Sequence, residues 1–546
     1  MKKTLVLVVG LLFGFTVHAQ SDLLSSKQKL AATAKVWGFL KYYHPAVAQG
    51  KFDWDLELID LLKELEGPMT ANSFSVSMNQ WIDSLGPVPE CKKCRKASQQ
   101  EYFNKNFDLS WMDDKRVFHT SLSARLRNIE NNRFIGENNY AQPYRKNVGN
   151  FSPLNEEFEA FDWSVKEHRL LFVFKYWNMV EYFFPYKYQT DTPWSEVLVE
   201  AIEDVEYCQT EEDFKKALTR LIVKIDDGHG FVNFNTPRAN WIPNRIEPVE
   251  DQMVVVRPWG DSIAQFSPLQ NGDVVLAING ESISELKEHN LPLIAGSNLL
   301  SKQRNMGYLF GQTFGEENLN YRVRRNGEEL DLEVPIYASS DFDRPVPKEK
   351  WKILENNIGF INMGIITPKE VFGAMKELKD TDGLIIDVRN YPKGSMYALS
   401  GRLVHKKKEF CKIIRPDYTY PGKFYWDEGL TTGFKKRRNP YTQPIVLLVN
   451  EQTQSHAEFS VMSLQVAENV TTIGRQTAGA DGNICRIDLG KGYQTAFSGI
   501  GIFYPDRSLT QRTGVHIDQV VERTIEGVKQ GKDEVLEAAM ALFKNK

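Results

Sequence analysis

Ser455 and its surroundings have the residue types and spacing of a nucleophile. The segment Thr453-Gln-Ser-His-Ala-Glu458 follows an apolar β-branched run at 445–450 and opens a helical pattern. A serine at such a strand-to-helix junction presents its hydroxyl at the edge of the sheet. The N–H groups of the first helical turn then face the group that it attacks, as in an oxyanion hole. The same residues also fit a helix N-cap, because Ser455 and Glu458 have capping-box spacing.

His229 has the most distinctive surroundings of the nine histidines. It lies in Asp226-Asp-Gly-His-Gly230, between a helical pattern and a strand pattern. Glycine on both sides leaves the backbone free and the imidazole accessible. An ordinary loop histidine is the alternative. No second histidine stands within ligand spacing, which disfavours a metal site.

The elements that must position these residues are spread over several domains. A chain of 546 residues is too long for one hydrophobic core, and about 150 residues per domain predicts three or four domains. The composition, 42% apolar and 25% charged, is that of an ordinary soluble protein. The net charge of −4 provides no basic excess, so we expect no nucleic-acid partner.

The N-terminus has the pattern of a signal peptide. Lys2 and Lys3 precede an uncharged apolar run from Leu5 to Val17, and Val17-His-Ala19 supplies the small residues of a cleavage site. Thirteen residues are too few to span a bilayer, so we expect no stable membrane insertion. We therefore predict a signal peptide over residues 1–19 and an exported chain, periplasmic or extracellular after cleavage near Ala19.

Cys91 and Cys94 are the one close pair among five cysteines. A structural metal would need a second pair, and a redox pair would need a thioredoxin-like context. A local disulfide in a loop is the favoured interpretation. The pairing of the other three cysteines stays open.

The N-terminal region contains an internal repeat. The copies begin at Lys35 and Lys175, with Trp37 and Trp177 at matching positions, a proline at the end of each, and a further tryptophan nine residues later. This spacing predicts a duplicated helical hairpin whose tryptophans pack between helices. We expect a helical region over 20–155, with polar loops, and a second helical domain over 156–243 that ends in the His229 motif.

Strand patterns replace helical ones after residue 243. Apolar strands and turn residues run through 244–340, and Gly272-Asp-Val-Val-Leu-Ala-Ile-Asn-Gly280 resembles a segment of PDZ domains, which bind extended peptides by strand addition. From 341 to 546, apolar strands alternate with helical patterns. This alternation predicts an α/β layered domain with a mostly parallel sheet.

Five motifs, in order, resemble those of the C-terminal processing (tail-specific) and tricorn-core serine peptidases. The resemblance covers the chain from about residue 200 to its end. It implies a multidomain α+β fold with a helical N-terminal region, a PDZ domain and a crotonase-like α/β core. The motifs are Asp227-Gly-His229, Asp387-Val-Arg-Asn-Tyr-Pro-Lys-Gly394, Thr453-Gln-Ser-His-Ala-Glu458, Gly474-Arg-Gln-Thr-Ala-Gly479 and Gly514-Val-His-Ile-Asp518.

The residues that differ from the family pattern indicate which branch of the family the chain resembles. Ala480 occupies the place of the lysine that one branch pairs with its serine, so the resemblance implies the tricorn-like Ser/His branch, with His229 as general base. The acidic residue that would orient this base has no carboxylate counterpart at 511–513. Gln511 is the residue expected to orient the imidazole there, with Asp226 or Asp227 the next to test. Lys393-Gly394 replaces a glycine pair, and Tyr391 replaces an asparagine.

The resemblance implies an exported serine peptidase that forms an acyl-enzyme on Ser455. The N–H groups of His456 and Gly394 would form the oxyanion hole, and no metal or organic cofactor is needed. The expected substrate is a peptide or unfolded protein, engaged through the PDZ-like domain. The alternatives are a catalytically impaired peptide- or ligand-binding protein on the same fold, and an acyl hydrolase that cleaves esters.

Overall fold

The protein combines helices and sheets, and this computed structural model describes residues 23–96, 99–145, 147–235, 238–342, 349–433 and 441–544. The predicted signal peptide, residues 1–19, lies outside these ranges. Within them, no helix is both long enough and apolar enough to cross a bilayer.

Two matching helical hairpins form the N-terminal part. The first pairs Ser26–Tyr43 with Trp54–Glu64, and the second pairs Lys166–Phe183 with Trp194–Glu206. Each opening helix ends two residues before a proline, because proline excludes the α conformation from the residue before it. The other helices of this part are Pro45–Ala48, Ala71–Ser84, Thr120–Asn131 and Glu211–Val223.

The repeated tryptophans bind each other's backbone inside each hairpin. Trp37 donates its indole N–H to the carbonyl of Trp54 at 2.9 Å, and Trp54 donates to Trp37 at 3.3 Å. Trp177 and Trp194 make the same reciprocal pair at 2.8 and 3.1 Å. Both pairs are stacked, with ring planes 8° and 5° apart. The repeat therefore positions helices, as its spacing predicted.

The two hairpins share one hydrophobic core, so the expected division at 155/156 does not separate two packed units. The opening helices meet at Gly38, where a Cβ atom would lie 1.8 Å from the side chain of Asn178. Buried Glu156, at the expected boundary itself, accepts a hydrogen bond from Lys41 at 2.7 Å. The connecting segment is therefore part of the helical core.

The cysteine prediction agrees with the structure. Cys91 and Cys94 form a disulfide in a loop, whereas Cys208, Cys411 and Cys485 are free thiols.

An antiparallel sheet follows the helical part. Two helices, Ile283–Asn290 and Leu299–Phe310, pack with it. A turn at Asn326-Gly327, with φ of 54° and 91°, joins its longest strands, as the Asn-Gly pair predicts. The strands are Asn244–Val249, Gln252–Pro258, Val274–Ile278, Glu281–Ser282, Asn318–Arg325 and Glu328–Pro335.

The C-terminal part contains the mostly parallel sheet that the sequence predicted. Its central strands are apolar and buried on both faces, as expected when helices cover a sheet on two sides. The covering helices are Val371–Glu377, Met396–Leu403, His456–Gln465 and Glu534–Lys544. The strands, in sheet order, are Trp351–Leu354, which is antiparallel, then Ile358–Asn362, Gly383–Asp387, Ile445–Val449, Val470–Gly474 and Gln519–Val520.

Two smaller antiparallel sheets join the helical part to this domain. The strand Tyr102–Phe103 pairs with the hairpin Lys408–Pro416 and Phe424–Thr432, which also pairs with Gly501–Phe503. Val232–Asn233, directly after the His229 motif, pairs with the strand Gln494–Ser498 of the hairpin that begins at Ile484–Asp488. This second pairing places the His229 motif next to the C-terminal domain.

Candidate active site

Ser455 lies at a sharp turn between the strand Ile445–Val449 and the helix His456–Gln465. Its φ of 58° and ψ of −123° are a sparsely populated conformation for a residue with a side chain. The Ser455 N–H donates to the carbonyl of Ala480 at 2.9 Å, which holds this conformation. Such strain persists where the surrounding structure fixes it, and it commonly marks functional residues.

The capping interpretation of Ser455 accounts for only part of this geometry. Glu458 accepts the Ser455 N–H at 3.1 Å, which is one half of a capping box. Among the described residues, however, the Ser455 hydroxyl makes no hydrogen bond that caps the helix. Ser455 also lines a cleft.

Glu458 ties the nucleophile turn to the segment Gly474–Gly479. Its buried carboxylate also accepts hydrogen bonds from the Thr477 hydroxyl at 2.5 Å and from the N–H groups of Gly479 and Ala480 at 2.7 and 3.0 Å. Burial raises the pKa of Glu458, although these hydrogen bonds act in the opposite direction. The two motifs that were separate in the sequence are thus one structural unit.

Two residues contact the Nδ1 atom of the His229 ring. Its Nδ1 lies 2.9 Å from the hydroxyl oxygen of Ser498 and 3.5 Å from a carboxylate oxygen of Asp227. Its Nε2 is buried and has no hydrogen-bond partner among the described residues. Nε2 is therefore not hydrogen-bonded to the Ser455 hydroxyl in this structure, although both residues line one cleft.

Asp227 is the carboxylate that supports this ring. Its carboxylate accepts hydrogen bonds from the backbone N–H of His229 at 3.1 Å and from the backbone N–H of Ser498 at 2.6 Å, and Asp227 is fully buried. Burial alone would raise the pKa of Asp227, but the hydrogen bonds from His229 and Ser498 and the charge of His229 outweigh it, so its pKa is lowered. A buried, ionised carboxylate behind an imidazole stabilises the imidazolium form.

Among the described residues, Gln511 makes no hydrogen bond to His229, the ring that the sequence expected it to orient. Its side-chain amide lies 3.5 Å from both Asp227 and the hydroxyl of Ser297. The physical reason is that the carboxylate comes from the His229 turn itself, so Gln511 supports the carboxylate instead of the ring. The Asp-x-His spacing carried this signal, whereas nothing local in the sequence pointed to Ser498.

Ser455 and His229 line the same cleft, which has a volume of about 760 Å³. Ala480, at the position of the absent lysine, lies beside the His229 turn: a Cβ atom on Gly228 would be 3.1 Å from the Ala480 methyl group. A small residue at 480 therefore leaves room for the histidine turn.

The two predicted oxyanion-hole residues differ in their relation to the cleft. His456 is the first residue of the helix after Ser455 and lines the cleft. Gly394 lies in the turn after the neighbouring strand Gly383–Asp387, with φ of 77°, but it is outside the set of described residues that line the cleft. Tyr391, from the same turn, does line it. The turn thus borders the cleft, with Gly394 set back from its wall.

A serine in a strained strand-to-helix turn and a histidine backed by a carboxylate line one cleft, and serine hydrolases use these same groups. Residues 357–521 match the family model described as Peptidase family S41. This match covers the domain that contains Ser455, and it confirms the family resemblance of the four motifs that lie within these residues.

Two relatives of known name support this assignment. Carboxy-terminal processing protease CtpA of Bacillus subtilis is 25% identical over 244 residues, which cover 43% of this chain and 46% of that protein. The carboxyl-terminal-processing protease of Synechocystis sp. is 24% identical over 286 residues, which cover 51% of this chain and 61% of that protein. The chain thus spans between about half and three fifths of the length of these relatives.

A solved structure shares the fold. The crystal structure of mature CPAF aligns with a TM-score of 0.57 and 13% identity, and the alignment covers 70% of this chain and 98% of that chain. At this identity the likeness concerns the fold alone.

Proposed function

We propose that the protein is a serine peptidase that cleaves peptide bonds through an acyl-enzyme on Ser455. The observation that carries this proposal is the shared cleft of Ser455 and His229, with Asp227 buried behind the imidazole. The Ser455 hydroxyl attacks the peptide carbonyl carbon and His229 Nε2 takes its proton. Asp227 and Ser498 hold the ring and stabilise the imidazolium that forms.

The remaining steps use the same groups. The N–H of His456, with that of Gly394 as the second donor, stabilises the oxyanion of the tetrahedral intermediate. His229 then protonates the leaving amine, the C–N bond breaks, and the acyl group remains on Ser455. Water, deprotonated by His229, attacks the acyl-enzyme, and Ser455 recovers its proton as the carboxylic acid product leaves.

Two further features concern how peptides are bound and where the protein acts. We propose that residues 244–340 form a PDZ-like domain on a crotonase-like core, and that this domain binds extended peptides by adding a strand to its sheet. The match at 272–280 and the antiparallel sheet support this role. The pattern of residues 1–19 supports export, with a periplasmic or extracellular mature chain.

The test combines a serine-directed fluorophosphonate probe with a peptide substrate panel. The wild-type protein should be labelled and should cleave peptides, and Ser455→Ala should abolish both. Ser460→Ala is the matched control, because its hydroxyl is on the same helix but bonds the carbonyl of His456 at 2.6 Å. Labelling without peptide cleavage, but with ester cleavage, would favour the ester hydrolase. An unlabelled, folded wild type that binds peptides would favour the binding protein.

Deleting residues 244–340 tests the PDZ-like role separately. Peptide binding and peptide cleavage should fall, while probe labelling of Ser455 reports whether the core survives. Full retention of peptide binding in a labelled deletion variant would contradict this part of the proposal.

A further inference from the structure

The cleft extends from Ser455 into an apolar recess. Part of the cleft wall, here called the apolar recess, is formed by aliphatic and aromatic side chains from the hairpin 408–432, the helix 456–465, the strand 501–503 and the segments next to them. These side chains are Ile413, Leu430, Phe459, Ile484, Ile500 and Ile502.

Asp481 places a carboxyl group in the wall of this recess. The residue is only 3% exposed. One carboxyl oxygen accepts the N–H of Gly482 at 2.7 Å. The other, Oδ2, is buried and has no hydrogen-bond partner among the described residues. A buried polar atom without a partner is costly, so one that lines a cleft is expected to be completed by a ligand.

Asp481 is attached directly to the nucleophile turn. The residue before it, Ala480, accepts the Ser455 N–H through its carbonyl and donates its own N–H to Glu458. Both sides of this connection are thus fixed by hydrogen bonds. Asp481 therefore borders the part of the cleft next to the nucleophile turn.

The charges around the recess disfavour a cationic side chain. Burial, and then the neighbouring charge of Glu458, raises the pKa of Asp481 well above its usual range, which favours the neutral carboxyl. Arg304, which makes no ion pair among the described residues, lines the same cleft and repels a second cation. A neutral carboxyl can both donate and accept a hydrogen bond.

We propose that Asp481 is a specificity-determining residue that selects, on the acyl side of the scissile bond, a neutral side chain with a hydrogen-bonding end on an apolar stem. Glutamine, threonine and tyrosine belong to this class. A purely aliphatic side chain fills the recess but leaves Oδ2 unpaired, and sites built to hydrogen-bond a substrate group reject analogues that lack it. This inference rests on the proposed peptidase function of Ser455.

The test is a peptide library in which only the residue before the scissile bond varies, with cleavage sites read by mass spectrometry at pH 7. The wild type should prefer glutamine, threonine or tyrosine over leucine and over lysine, by roughly tenfold to a hundredfold in kcat/KM. Asp481→Ala should abolish this preference and favour leucine. Asp481→Asn keeps a hydrogen-bonding group of the same size and should retain the preference in part.

The outcomes separate this inference from the peptidase proposal. A wild type that favours leucine or lysine at this position would overturn the role of Asp481, whatever the variants do. An unchanged preference in Asp481→Ala, with Ser455 still labelled by the fluorophosphonate probe, would overturn it as well. A wild type that is neither labelled nor active on any peptide would overturn both proposals together.

Discussion

Gln454 donates a hydrogen bond from Nε2 to the carbonyl oxygen of Gly228 at 2.9 Å, across 226 positions of the chain. Gln454 immediately precedes Ser455, and Gly228 immediately precedes His229. The bond thus joins the backbones that carry the proposed nucleophile and the proposed base. Arg304 donates to the other end of the same amide, Gln454 Oε1, at 2.8 Å. The Gln454 side chain is therefore fixed at both ends.

Gln454→Ala should lower kcat by roughly tenfold to a hundredfold, because a small misplacement of reacting groups is costly in rate. The fold should persist, since the strand pairing of Val232–Asn233 remains. Peptide kinetics and the rate of probe labelling at Ser455 measure the effect. Gln465→Ala, at the far end of the helix 456–465, is the control. An unaltered labelling rate in Gln454→Ala would argue that the Gly228 bond does not align the two groups.

Asp227→Asn tests the charge behind the imidazole. The substitution keeps the size of the side chain but removes the charge that stabilises imidazolium, and in serine-peptidase triads this costs up to roughly 10⁴ in kcat. We expect a fall of about 10²–10⁴ with little change in KM. Asp226→Asn is the matched control, because the Asp226 carboxylate instead bonds Lys302 and the N–H of Asp191, each at 2.9 Å. Equal losses in the two variants would indicate damage to the turn, not loss of a specific charge.

The sequence predicted those features of the site that depend on neighbouring residues in the chain, but not the contacts between distant residues. Ser455 was found because an apolar strand, a small polar turn and a capping pattern are adjacent in the chain. The support of His229 was assigned to Gln511, because a motif comparison gives an order of residues and no contacts. Ser498 was missed because its contact depends on the pairing of Val232–Asn233 with Gln494–Ser498, and two short strands so far apart carry no sequence signal of their partnership.

The lack of contact information in the sequence also explains why a domain boundary was expected at 155/156. The two hairpins were predicted from their tryptophan and proline spacing, which is local. Their shared core depends on the contact of Gly38 with Asn178 and on buried Glu156. Neither residue type signals such a contact by itself, so the boundary at 155/156 was set in a segment that is in fact packed.

Gln511→Glu should lower kcat/KM, roughly tenfold, because the new carboxylate would face Asp227. Two neighbouring carboxylates do not both ionise readily, so one is protonated and the stabilisation of the imidazolium is weakened. Gln511→Met, similar in size and neutral, should have a smaller effect. The measurement is kcat/KM for the three proteins at neutral pH. A rise in Gln511→Glu would mean that the glutamate reaches His229 directly and acts as the orienting acid itself.

His44 supplies a test of stability that the internal repeat itself suggests. It occupies the position in the first copy that Phe184 occupies in the second, and both side chains are fully buried. Burial, and then the charge of Arg125, lowers the pKa of His44 to about 4. In the unfolded chain the imidazole has its ordinary pKa of about 6.5.

Between those two pH values the unfolded state binds a proton at His44 that the folded state does not. The free energy of unfolding therefore decreases as the pH falls from about 6.5 to about 4, by up to roughly 3 kcal/mol from this residue. His44→Phe, which copies the second repeat, removes this contribution. Urea unfolding at pH 7 and pH 4.5 should show a smaller loss of stability on acidification for His44→Phe than for the wild type. His289→Phe, at a side chain that is 70% exposed, should behave as the wild type does. An equal loss in His44→Phe and wild type would show that His44 is not the group whose protonation is linked to unfolding.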